Sequence, residues 1–126
     1  MKNILVTGGA GFIGSNFVQM MLTKHEDINL VVYDKLTYAG NLDNLELVAN
    51  KPNYHFYQGD ICNAADVEKV MQQYGMDTIV NFAAESHVDR SIVGPGVFVQ
   101  TNVVGTFALL EVVRKRPSIH FHHVST

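Results

Sequence analysis

The sequence predicts an α/β protein built on one open, doubly wound sheet of five parallel strands in the order 3-2-1-4-5. Three observations carry this. Five short apolar runs recur along the chain, and stretches with helical periodicity separate them. The fourth run (Thr78, Ile79, Val80, Asn81, Phe82) is nearly unbroken in apolar character, as a central strand covered on both faces must be. The polar residues Thr7, Asp34, Asp60, Ser86 and Thr126 all fall at strand carboxyl ends, where open α/β sheets place their ligands. Right-handed crossovers then give the stated strand order.

The first run, Ile4-Leu5-Val6-Thr7, leads into Gly8-Gly9-Ala10-Gly11-Phe12-Ile13-Gly14 and then periodic residues to Lys24. An apolar run broken by glycines and followed by an amphipathic stretch reads as strand, tight turn and helix. The glycines fit two overlapping patterns, Gly9-x-Gly11-x-x-Gly14 and Gly8-x-x-Gly11-x-x-Gly14. In a dinucleotide site such glycines turn the chain, let backbone approach a pyrophosphate, and let helix pack on strand. The helix points its unpaired N–H groups and positive dipole end at the anion. An ordinary βα turn looks the same when taken alone. Context decides: the second run ends in Asp34, twenty residues past Gly14, where a carboxylate accepts the hydroxyls of an adenosine ribose. Asp34 favours NAD over NADP, because a 2′-phosphate would meet a carboxylate; the neighbouring Lys35 works the other way.

Composition bounds the partners. At 126 residues the chain is one domain or part of one, and 47% hydrophobic residues suffice for an ordinary soluble core. A net charge of −3 gives no reason to expect nucleic acid or an anionic membrane surface. The one basic cluster, Arg114-Lys115-Arg116, ends a helix before Pro117, where cations favour the negative dipole end. A single cysteine, Cys62, allows no internal disulfide and fits a reducing, cytoplasmic compartment. No run approaches the ~18 apolar residues of a membrane span, so no membrane is expected.

In the first helix Ile13, Phe17, Met20 and Met21 recur at spacings of three and four and are expected to form its core stripe. Residues 35–41 read as loop, and Leu42, Leu45, Leu47 and Val48 as a short helix. The turn Lys51-Pro52-Asn53 hands over to a third strand, 54–58. Asp60 and Ile61 follow; an acid and a flat aliphatic side chain there would meet an adenine, or Asp60 would merely help cap the next helix. Cys62 is expected to be a small packing residue. Asn63 is that helix's N-cap, Asp66 its third residue, and Val67, Val70 and Met71 its buried stripe. The fourth strand, 78–82, runs into small residues that leave room for a flat ligand, then a polar cluster that would line a cleft. After Gly94-Pro95-Gly96 the longest helix has Val99, Val103, Thr106, Phe107, Leu110 and Val113 as its expected core face. The fifth strand covers 119–126.

With these motifs the chain resembles the extended short-chain dehydrogenase/reductase family, over essentially all its residues. Residues 7–14 are common to that family; more specific are 34–41, Ala83-Ala84-Glu85-Ser86-His87-Val88-Asp89-Arg90-Ser91, and His123-Val124-Ser125-Thr126. The resemblance implies a Rossmann-type NAD-binding domain over 1–126, incomplete because later strands and a sugar-nucleotide domain are absent. It implies NAD contacts from Gly8, Gly11 and Gly14, and backbone contacts from Phe12 and Ile13 to the pyrophosphate. Asp34, Lys35, Leu36 and Thr37 would hold the adenosine ribose and its surroundings, and Asp60 and Ile61 the adenine. Phe82, Ala83, Ala84, Glu85 and Ser86 would lie along the cofactor, with Thr101 as a further contact. Ser86 would also touch the substrate, implied to be the sugar nucleotide dTDP-glucose. Thr126 would be the catalytic hydroxyl at the C4 oxygen. The implied partner is a second copy, through helices of this half.

The reaction the resemblance implies is a hydride loan: C4 gives hydride to NAD, water leaves from C5 and C6, and hydride returns to C6. That needs a tyrosine base with a lysine four residues on, and an Asp-Glu pair. None of Tyr33, Tyr38, Tyr54, Tyr57 and Tyr74 has such a lysine, and the acid pair expected directly after Thr126 falls beyond the sequence. The polypeptide therefore reads as part of a longer enzyme, expected to hold part of NAD without turning over a sugar. Its fifth strand, left as an uncovered edge, would drive self-association. A 4-epimerase of the same family and a non-catalytic NAD-binding module remain alternatives. His120 and His122 share a strand face with His123 nearby, but no further ligand completes a metal site, so no metal is expected. His87, Asp89 and Arg90 would line the cleft or form a salt-bridged loop.

Overall fold

Five strands, β1 (Asn3–Thr7), β2 (Asn29–Asp34), β3 (Tyr54–Gln58), β4 (Thr78–Asn81) and β5 (His120–His123), form one sheet in the computed structural model, which describes residues 1–37 and 39–125. All neighbours pair in parallel, in the order β3-β2-β1-β4-β5. The helices are α1 (Phe12–Lys24), α2 (Ala64–Gln73), α3 (Val88–Val93), α4 (Pro95–Phe98) and α5 (Thr106–Arg114); a 3-10 turn spans Leu42–Val48 and a π-helical stretch, Val99–Gly105, joins α4 to α5.

Alternate strand residues go to opposite faces, and here both faces are covered. Ile4, Val6, Leu30 and Val32 pack with Val18, Met21 and Leu22 of α1 and with Leu45 and Val48 of the 3-10 turn. Leu5, Val31, Tyr33 and Ile79 pack on the other face with Val67, Val70 and Met71 of α2 and Leu109 and Val112 of α5. Burying each such aliphatic side chain stabilises the fold by about 1.5–3 kcal/mol, which makes β1, β2 and β4 the rigid centre. Register sets their ends level: Thr7 lies opposite Tyr33 and Asn81, and Asp34 opposite Gln58.

The opposite end of the sheet is bracketed by Asp77. Its Oδ2 accepts the Lys2 and Asn3 N–H groups, each at 3.0 Å, and its Oδ1 accepts the Thr78 hydroxyl at 2.6 Å. Partial burial works against the charge, but these donors outweigh it and hold the carboxyl below its ordinary value. A depressed carboxyl stabilises the fold above its unfolded value and loses that contribution as pH falls through the folded one. Asp77→Asn is therefore expected to melt lower than the parent protein at pH 6. The gap should close as pH drops below 3.8. A gap that widens in acid would contradict this role.

Two expected core faces are corrected. In α1, Ile13 and Met20 are exposed and Phe17 is only partly buried; the inner face is Gly14, Ser15, Val18, Met21 and Leu22. Small residues let the first turn of α1 press on the glycine turn, so the bulky Ile13 is left facing outward. In the long helix Val99, Val103, Phe107 and Leu110 are exposed, while Gly105, Ala108, Leu109 and Val112 are buried. The π-helical stretch widens the turn, so a face projected at 3.6 residues per turn drifts out of phase. Leu42 and Leu47 are exposed as well, residues 88–93 are helical, and β5 is shorter than the expected 119–126. Pro95–Arg114, at 20 residues, is long and apolar enough by length and composition to cross a membrane, which corrects the expectation that no run comes near that limit. Its carboxyl half packs against the sheet and α2 through Leu109 and Val112. The cap of α2 is as expected: Asn63 Oδ1 accepts the Asp66 N–H at 3.1 Å.

Candidate functional site

At the carboxyl ends of the strands the glycine turn closes backbone against backbone. Gly8 has φ +68°, and a Cβ there would lie 2.6 Å from the Ala83 nitrogen at the end of β4. A Cβ on Gly14 would lie 2.3 Å from the Gly8 carbonyl oxygen. Only hydrogen fits at either position. Gly8 N–H donates to the Tyr33 carbonyl at 2.9 Å, tying the turn to β2. The N-cap of α1 is Gly11, with no side-chain cap and no acid in the first turn. Within the helix itself no side chain offsets the positive end of α1.

Asp34 faces this turn and is 9% exposed. Its Oδ2 accepts the Ala10 N–H at 2.9 Å and its Oδ1 the Leu36 N–H at 2.8 Å. A carboxylate offers about four acceptor directions, so two remain for a ligand. Leu36 adopts φ +59°, uncommon for a non-glycine residue, and turns the chain sharply just after its N–H has bonded Asp34. Across the cleft Asp60 Oδ1 accepts the Cys62 N–H at 2.9 Å, and Asp60 Oδ2 lies 3.2 Å from Lys35 Nζ. Partial burial would raise the Asp60 carboxyl, but the Cys62 N–H and the Lys35 ammonium together hold it below its ordinary value. Asp60 thus braces its own turn, while Asn63 caps α2.

Beneath this rim Tyr33 stacks on Tyr57 with centroids 5.8 Å apart, and one carboxylate serves both rings. The Tyr33 hydroxyl donates to Asp66 Oδ2 at 2.7 Å and the Tyr57 hydroxyl to Asp66 Oδ1 at 3.0 Å. Burial, then the Asp66 bond, pushes the Tyr33 hydroxyl far above its ordinary value, so it stays a neutral donor. On the other side the Asn102 amide clasps Glu85, accepting its N–H at 2.8 Å and donating to its carbonyl at 2.9 Å. The buried Asn81 amide accepts the Thr7 hydroxyl and donates from Nδ2 to His123 Nδ1 at 3.0 Å. That bond uses His123 as an acceptor between strands. Cys62 is half-buried, its Sγ 3.2 Å from the Gln100 carbonyl.

These elements enclose a cleft of about 510 Å³. Its walls bring together Gly8, Gly11, Phe12, Ile13, Gly14, Asp34, Lys35, Thr37, Asp60, Ile61, Phe82, Ala83, Ala84, Glu85, Ser86 and Thr101. Thr101 reaches the cleft from the π-helical stretch. The Leu36 side chain does not line it; it packs into the core, and only its N–H points to Asp34. Thr7, expected at the ligand end, is fully buried under Asn81. Thr126 and Tyr38 lie outside the described residues. Tyr33, Ala39, Gly40, Gly59, Val124 and Ser125, to which the sequence assigned no contact of their own, also line the cleft. Gly59 and Val124 follow strands, a position that could have flagged them. A second, more open cleft of about 670 Å³ shares Lys35, Thr37 and Glu85 and adds Asp89 and Arg90. Among the described residues no group of three or more His, Cys, Asp or Glu side chains is placed to hold a metal ion.

A doubly wound sheet whose strand ends carry a helix N-terminus, a left-handed glycine turn and a caged carboxylate defines a Rossmann-type α/β protein. The family model for GDP-mannose 4,6 dehydratase matches residues 5–126, and the chain belongs to that family. It is 51% identical to the dTDP-glucose 4,6-dehydratase of Neisseria gonorrhoeae over 99% of this chain and 38% of that protein. The enzyme of the same name from Salmonella typhimurium is 48% identical, over 98% of this chain and 36% of its own length. The crystal structure of dTDP-glucose 4,6-dehydratase from Bacillus anthracis in complex with NAD superposes with a TM-score of 0.90 at 47% identity, covering all of this chain and 38% of that one. UDP-glucose 4-epimerase of Thermotoga maritima gives 0.83 at 32% identity, over 98% of this chain and 38% of that one. The chain thus spans under two-fifths of the length of these relatives.

Proposed function

We propose that this chain is the NAD-binding part of a dTDP-glucose 4,6-dehydratase, with residues 1–126 acting as one nucleotide-binding domain. One observation carries the reading: the glycine turn, the caged Asp34 and the Asp60–Ile61 rim open on the same cleft. The relatives named above support the choice of reaction. Identity to the dehydratases is higher than to the epimerase, which favours elimination over epimerisation.

NAD, when bound, supplies a reversible hydride acceptor. The residues of this chain bind and orient it. Gly8, Gly11 and Gly14 bring backbone close to the pyrophosphate, and Phe12 and Ile13 present N–H groups at the start of α1. Asp34 accepts the ribose hydroxyls with its two free acceptor directions. Lys35 and Thr37 border the ribose, Leu36 acts through its backbone, and Asp60 and Ile61 meet the adenine. Phe82, Ala83, Ala84, Glu85, Ser86 and Thr101 flank the nicotinamide half. Ser86 and Thr126 contact dTDP-glucose, with the Thr126 hydroxyl on the C4 oxygen. No tyrosine here is followed by a lysine four residues on, so none of these five is the base that takes the C4 hydroxyl proton as C4 gives up hydride. The product would serve deoxysugar synthesis, such as rhamnose, in the cytoplasm.

Titration of the purified chain with NAD by calorimetry is expected to show one site. Incubation with NAD and dTDP-glucose is expected to yield no 4-keto sugar. Absence of NAD binding would overturn the reading; 4-keto sugar would overturn the assignment of the base.

The partner is a second copy, docked through the long helix. Val97, Val103, Phe107 and Leu110 are apolar and exposed there. Light scattering is expected to give a dimer, and Val103→Glu with Phe107→Glu a monomer that still melts cooperatively. A monomeric parent chain would contradict this.

A further inference from the structure

Lys35 follows Asp34 and, among the described residues, is the one cation lining the main cleft. Its ammonium is engaged: Nζ lies 3.2 Å from Asp60 Oδ2, joining the segments that follow the neighbouring strands β2 and β3. Asp60 is aimed at it by the Cys62 N–H on its other oxygen. Asp34 cannot turn aside either, since the Ala10 and Leu36 N–H groups hold both its oxygens. We propose that Asp60, by holding Lys35, is a specificity-determining residue that keeps NADP out of this cleft. The proposal rests on the NAD reading above. A 2′-phosphate adds close to two negative charges beside a carboxylate that cannot move. The cation needed to neutralise it is Lys35, and Asp60 already neutralises that cation. Discrimination is a difference of two affinities, and here it comes from a withheld counter-charge as well as from direct repulsion.

The test is calorimetric binding of NAD and NADP to the full chain and to Asp60→Asn, Lys35→Met and the double variant. Asp60→Asn keeps the oxygen that accepts the Cys62 N–H, and any adenine contact is common to both cofactors, so the affinity ratio isolates the effect. The ratio of NADP to NAD affinity is expected to rise about fivefold in Asp60→Asn, as one freed surface charge allows. It should return to the parent value in the double variant, and Lys35→Met alone should leave it unchanged. An unchanged ratio in Asp60→Asn, or a rise that persists without Lys35, would overturn the proposal. Should Asp60→Asn fail to fold, Lys35→Met decides: a selective loss of NADP affinity would show Lys35 already serving the phosphate and overturn it, and an unchanged ratio would support it. Failure of the NAD reading has a separate signature, a parent chain that binds neither cofactor nor ADP-ribose.

Discussion

Replacing Gly8 by alanine is expected to destabilise the protein by about 3 kcal/mol, summing a left-handed backbone penalty and an overpacking penalty. The added Cβ would lie 2.6 Å from the Ala83 nitrogen, 2.7 Å from the Phe82 carbonyl carbon and 2.8 Å from the Ala83 Cα. All three are main-chain atoms at the end of a central strand, so no side chain can rotate away. Relief would separate β1 from β4 where Asn81 ties Thr7 to His123. Thermal melting should show a fall of roughly 10 °C for a domain of this size. Gly14→Ala should behave alike, because its Cβ would meet the Gly8 carbonyl oxygen. A melting point within a degree or two of the parent for both variants would contradict the backbone contact.

Asp34→Asn is expected to weaken NAD binding about a hundredfold, because both ribose hydroxyls lose a charged acceptor. It should also cost stability with no ligand present. An amide offers one oxygen, and two N–H groups, from Ala10 and Leu36, now each have a carboxylate oxygen. One of them would face an NH₂ group instead, a loss of about 1–3 kcal/mol for a buried donor. The two effects separate by experiment, since the stability loss appears in a melt without NAD and the affinity loss in calorimetry. Affinity for NAD within twofold of the parent would show that the carboxylate does not meet the ribose.

Much of the framework is legible in the residues because its signals are local. The strand order follows from the alternation of strands and helices with right-handed crossovers, the α2 cap from Asn63 and Asp66, and Asp34 from its distance past Gly14. Other features depend on atoms far apart in the chain or on rare backbone geometry. Leu36 has no sequence mark of a left-handed conformation, yet that turn supplies half of the cage on Asp34. The inner face of α1 is hidden because glycine and serine, not the larger Ile13, do the packing. The long helix misleads for a different reason: widening across Val99–Gly105 shifts its phase and sends Val103 and Phe107 outward. Asn102 grips Glu85 across seventeen residues, and Asn81 reaches His123 across forty-two, pairings that no local pattern encodes.

An amide-resolved NMR titration of the chain with NAD asks most directly whether phosphate cradle and ribose hook serve one ligand. The expected result is concerted movement of resonances from residues 8–14, 34–37, 59–61 and 82–86 along a single binding curve. Shifts confined to the cleft beside α3 and α4, or a glycine turn left untouched while Asp34 responds, would contradict a shared pocket.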